Sequence, residues 1–68
     1  MEDITQDVQE FASKLFDFAR HGDAALLEYI KQGVNADMVN QDGQSFVMLA
    51  AYNGHAELVR ELAALGAD

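Results

Sequence analysis

Leu49-Ala50-Ala51-Tyr52-Asn53-Gly54-His55-Ala56-Glu57-Leu58-Val59-Arg60-Glu61-Leu62-Ala63-Ala64-Leu65-Gly66-Ala67-Asp68 is the stretch that decides the fold. It reads as a short helix, a Gly-His turn, a second helix with Leu58, Val59, Leu62 and Leu65 on its inward face, and a glycine stop. The same arrangement occurs about 32 residues earlier. At that offset Leu15 matches Val47, Ala19 matches Ala51 and Gly22 matches Gly54. Leu26, Leu27 and Ile30 likewise match Leu58, Val59 and Leu62, while Gly33 matches Gly66 one residue further on. Self-similarity at a fixed period of this length is the signature of a solenoid, in which each unit buries its apolar face only against its neighbours.

Working outward, residues 3–21 carry Ile4, Val8, Phe11, Leu15 and Phe18 at alternating spacings of four and three, a single apolar helical stripe. Asp3 is placed to cap that helix with Gln6 as its capping-box partner, and Gly22 stops it. The acids Glu2, Asp3, Asp7 and Glu10 crowd its N-terminal end, where the helix dipole favours them. One long helix is expected, with a shorter, kinked helix as the alternative. Asp23 is placed to cap a second helix over about 24–32, closed by Gly33. Residues 34–44 are polar and contain Asp42-Gly43, a hairpin-turn signal because glycine adopts positive φ without steric cost. Ser45 is expected to cap a third helix over 46–53, and a fourth follows over 56–65.

Sixty-eight residues allow one small domain of modest stability. There is no cysteine to staple it and no proline to break its helices. The apolar runs are far short of the roughly 20 residues that span a bilayer, and the acidic Met1-Glu2-Asp3 start is unlike a signal peptide. A cytoplasmic protein is the expectation. Twelve acids against Lys14, Arg20, Lys31 and Arg60 give a net charge of −8. That surface disfavours nucleic acid and anionic membranes, whose binding depends on neutralising phosphates. It keeps the chain in solution and, on a second reading, favours a partner with a basic patch.

Catalysis is not expected. His21 and His55 each sit in a helix–helix turn, where a structural role is favoured over a zinc pair lacking further ligands. Ser45 is better placed as a cap than as a nucleophile, since no His–Asp pair is positioned to activate it. Asn35-Ala36-Asp37 and Asn40-Gln41-Asp42 lack the ladder and terminal glutamate of a calcium loop. No metal or cofactor is implied. Phe11, Phe16 and Phe18 on the acidic first helix admit a partner-binding or a core reading. Core is favoured, with Phe16, off the main stripe, as the exception.

The segment Asn40-Gln41-Asp42-Gly43-Gln44-Ser45-Phe46-Val47-Met48-Leu49-Ala50-Ala51-Tyr52-Asn53-Gly54-His55, running on to Gly66-Ala67-Asp68, resembles the ankyrin repeat family. The likeness covers about residues 13–68, and Leu49-Ala50-Ala51-x-x-Gly54-His55 is its most specific part. Phe46 stands where the family carries proline. Met48 stands where it carries the histidine that tethers adjacent hairpins. Leu15-Phe16-Asp17-Phe18-Ala19-Arg20-His21-Gly22-Asp23 resembles an N-terminal capping unit. Small Ala50 and Ala51 would let helices approach closely, and His55 would hydrogen-bond locally in its turn.

The resemblance implies an all-α fold, a short ankyrin-repeat solenoid of antiparallel helix pairs with one hairpin-like finger loop. It divides the chain into an N-terminal helical extension (1–12) covering the first end, a capping-like unit (13–35) and a second unit (36–68) ending before the next finger. It implies a non-enzymatic module that binds a protein through the finger and the concave helix face. Carried over by position, the contact residues are Val39, Gln41, Asp42 and Gln44 on the finger, Tyr52 and Asn53 on its helix, and Arg20 and His21 in the first unit. Met38 and Val39, apolar in a polar loop, would either pack on a neighbouring hairpin or bind the partner. The alternative is a structural end cap or a fragment of a longer solenoid, with self-association into a homo-oligomer through an uncapped C-terminal face.

Overall fold

A computed structural model describes residues 4–67, with side chains from residue 7 onward. Within them the chain forms four helices and no strand longer than an isolated bridge. They are α1 (Ile4–His21), α2 (Ala25–Lys31), α3 (Phe46–Tyr52) and α4 (Ala56–Ala64). Capping by Asp3 and Gln6 and the packing of Ile4 lie outside the described residues and side chains.

Local chemistry sets the helix ends. α1 runs unbroken to His21, and Gly22 follows at φ +70°. The Asp23 carboxylate accepts from the Ala25 N–H at 2.9 Å, so it serves the start of α2, although the residue flanking that helix is Ala24. At α3 the Ser45 hydroxyl accepts from the Met48 N–H at 3.2 Å, the capping bond expected of it. Between the pairs, residues 38–45 form the finger. Asn40 N–H donates to Gln44 C=O at 3.0 Å, and Val39 faces Ser45 across one antiparallel bridge. The Asn40 side-chain oxygen accepts from the N–H groups of both Asp42 and Gln44 at 2.9 Å, which fixes the turn from inside.

α1 packs against α3 and α2, and α3 against α4. One core joins both pairs: Leu15, Phe16 and Ala19 from α1, Leu26, Leu27 and Ile30 from α2, Phe46, Leu49 and Ala50 from α3, and Leu58 and Leu62 from α4. The Phe16 and Phe46 rings lie at its centre, 4.8 Å between centroids. This corrects the reading of Phe16 as the exception to the core. Phe16 is only 5% exposed, whereas Val8 and Phe11 on the main stripe are 60% and 43% exposed. Among the described side chains, Val8 and Phe11 on the N-terminal side of the stripe have less to pack against than Leu15 and Phe16. Phe11 meets Tyr29 edge-on at 5.5 Å and Phe18 stacks on the same ring at 6.0 Å, leaving Val8 outside this aromatic cap.

Phe46, which replaces proline, supplies core volume instead of a preset turn and is fully buried. Ala50 is fully buried between helices as expected, but Ala51 is exposed. Its counterpart Ala19 is fully buried, on the helix that packs against α3. Leu58 and Leu62 are buried, while Val59 and Leu65 are half-buried at the edge of the core.

The histidine of the second turn does not bond locally. His55 Nε2 lies 2.8 Å from the carbonyl oxygen of Arg20, 35 residues earlier. A carbonyl only accepts, so Nε2 carries the proton. The ring lies against Gly22: a Cβ there would stand 2.6 Å from its Nδ1 and 2.7 Å from its Cγ. The tether between the two helix pairs, which Met48 cannot make, is thus made by His55.

Candidate binding groove

The finger stands away from α1 and leaves a groove of about 500 Å³ between them. Ala12 and Phe16 of α1 and Met38 and Val39 of the finger form its apolar part. Gln9, Ser13 and Arg20 border it on the helix, and Asn40, Gln41 and Asp42 on the finger. The α1 residues share one side because they recur at three- and four-residue spacing. The finger residues reach the groove because the turn at Asn40 holds them upright.

Of the sequence-derived contact residues, Arg20, Val39, Gln41 and Asp42 are brought together at this groove. Val39 is 56% exposed although it lies in the bridge with Ser45. Arg20 is held by Asp17 at 2.7 Å on its own helix, while its carbonyl receives His55. Gln41 and Asp42 are exposed at the tip.

The other four lie outside the groove. The Gln44 side chain is turned inward, where its oxygen accepts from the Asn40 amide at 3.1 Å. Asn53 donates to the Leu49 carbonyl at 2.8 Å and closes the end of α3. Tyr52 is 68% exposed beside it, and His21 is exposed at the end of α1. Sequence reasoning missed Gln9, Ala12, Ser13 and Met38 as groove residues, or left Met38 undecided. Their signal was the helical register itself: Gln9, Ser13, Phe16 and Arg20 follow one another at four, three and four.

The charged residues lining the groove are Arg20 and Asp42, one of each sign, on a chain of net charge −8. Lys14 sits 5.9 Å over the Phe18 ring, and Arg20, Lys31 and Arg60 pair with Asp17, Glu28 and Glu57 three residues before them. Every cation is thereby engaged on its own helix, and these exposed pairs contribute little stability. The carboxylates of Asp7, Glu10, Asp42 and Glu61 form no ion pair among the described residues. No cluster of three or more metal-ligating side chains occurs among the described residues, and no described helix is long and apolar enough to cross a membrane.

Comparison with known proteins agrees with this architecture. A family description of ankyrin repeats in three copies matches residues 15–68. An ankyrin repeat protein of Pseudomonas aeruginosa is 43% identical over 59 residues, covering 85% of this chain and 34% of the relative. Ankyrin repeat domain-containing protein 29 of Homo sapiens is 41% identical over 59 residues, covering 84% of this chain and 20% of the relative. The inactive serine/threonine-protein kinase TEX14 of Mus musculus is 40% identical over 57 residues, covering 82% of this chain and 4% of the relative. The chain therefore spans between 4% and 34% of the length of these relatives. No solved structure matches it. With two-thirds or more of its length matched by the family and its helix pairs stacked at the repeat offset, this chain belongs to the ankyrin repeat family.

Proposed function

We propose that this chain is a non-enzymatic protein–protein interaction module, cytoplasmic in setting, whose contact surface is the finger and the adjoining helix face. The observation that carries the reading is the groove, which gathers Arg20, Val39, Gln41 and Asp42 beside exposed apolar surface. Ankyrin repeats are in general protein-binding modules, and the bonded finger would lose little freedom on binding. Tyr52, with apolar area and a polar tip, extends the surface along α3. In this reading the division into an extension (1–12), a capping unit (13–35) and a second unit (36–68) is a division of labour: the first two brace the finger that the third presents. An acidic surface suits a partner with a basic patch and not nucleic acid or a membrane. The test is affinity capture from source-cell lysate with the unsubstituted chain and a Val39→Ser, Tyr52→Ala variant. Specific capture lost in a folded variant is the expected result. Equal capture by both would remove the finger and α3 from the binding surface.

A second reading is favoured by one comparison within the chain. Leu15, Ala19 and Leu27 are buried, whereas their counterparts Val47, Ala51 and Val59 are half-buried or exposed. A face so built suits a structural end role, with further units or a second copy against it. Sedimentation over a wide concentration range separates the cases: monomer mass throughout rules out the second copy.

A further inference from the structure

The finger has two edges, and among the described residues only one is hydrogen-bonded. Asn40 N–H turns toward Gln44, so Val39, opposite Ser45 in a bridge without hydrogen bonds of its own, turns its N–H and C=O the other way. That outer edge faces the groove, which is lined by residues 38–42 and by none of 43–45. At the repeat offset of 32, finger residues 38–45 correspond to residues 6–13, which are helical in α1. No equivalent finger therefore stands beside Val39 among the described residues, and the stretch of α1 from Gln9 to Arg20 forms the opposite wall instead.

We infer that this groove takes an extended peptide segment of a partner protein, paired as a strand with the Val39 backbone and carrying an apolar side chain and a lysine or arginine. The inference rests on the interaction-module reading and names its ligand. Strand addition supplies affinity through main-chain bonds and leaves specificity to side-chain pockets. The apolar side chain has the half-buried Ala12 and Met38 and the exposed Val39 to cover, over the buried Phe16. The basic group has Asp42, an exposed groove carboxylate that forms no ion pair among the described residues, whereas the groove's own Arg20 is held by Asp17. Like charge repels an acidic segment, since the exposed Asp42 lines the site, Arg20 is already held by Asp17, and the whole chain carries −8.

The probe is a randomised library of linear peptides of about six residues, the length of an ordinary strand, selected on the full chain. Enriched sequences should combine a large apolar residue with lysine or arginine. Amide exchange at Val39 should slow on binding, and chemical-shift changes should centre on Ser13, Phe16 and Val39. Asp42→Asn should weaken the best basic peptide by about two- to fivefold, the worth of one exposed pair. Val39→Pro, which removes the donor, should abolish binding. Because proline could also disturb the finger, the exchange measurement on the unsubstituted chain is decisive. Enriched peptides without a basic residue, unchanged Val39 exchange, or no enrichment at all would each overturn the inference. Peptides that map instead to Tyr52 and Asn53 would overturn it while leaving the module reading intact, and that reading itself fails only in the capture comparison.

Discussion

At Gly22 two requirements meet in one residue. Its φ of +70° lies in the left-handed region, where a side chain costs about 1–2 kcal/mol. Its missing Cβ also leaves the space in which the His55 ring reaches the Arg20 carbonyl. Gly22→Ala should therefore lower stability by more than the backbone term alone. His55→Ala should cost roughly 1 kcal/mol for the lost bond, and more to the extent that the carbonyl is left dry. The two substitutions share a contact, so the second should cost less in the presence of the first. A double-mutant cycle by chemical denaturation should give a coupling of about 0.5–3 kcal/mol. Strict additivity would mean that the ring and the glycine do not constrain each other. This tether was only half legible in the sequence. The Gly-His pair marks the turn, but the histidine's partner lies 35 residues away and is set by how the helix pairs stack.

Among the elements, α1 and the finger separate what periodicity reveals from what packing decides. The helices, their glycine stops and the Ser45 cap follow from local chemistry and lie within a residue or two of where the sequence puts them. Which turns of α1 are buried does not follow from the stripe, because burial depends on where α3 crosses. Phe16→Ala should cost about 3–5 kcal/mol, a large part of the stability of so small a domain, while Val8→Ala should change it by no more than about 0.5 kcal/mol. Thermal unfolding of the two variants checks this, and equal losses would refute the assigned core. The finger depends on Asn40, whose side chain receives two backbone donors. Asn40→Ala should leave helix content unchanged in circular dichroism while accelerating amide exchange at Asp42 and Gln44. The groove itself was out of reach of sequence reading, because its two walls come from residues 9–20 and 38–42, brought together only by the stacking of α1 on α3.

For the whole molecule, the two ends differ in kind. The α1–α2 end is closed by Phe11, Phe18 and Tyr29, whereas the α3–α4 end presents Val47, Ala51 and Val59 with little over them. Between the ends, the shared core holds both helix pairs and fixes the distance from finger to α1. The groove itself carries Arg20 and Asp42, one charge of each sign, with Arg20 already paired to Asp17. On the proposed reading, a protein partner sits in this groove. The most direct test places a photo-crosslinking amino acid at Val39 and, in a separate chain, at Glu61 on α4, and illuminates both in source cells. A discrete protein adduct from position 39 and none from position 61 is the predicted result. No adduct at position 39, or the same adduct from both positions, would contradict it.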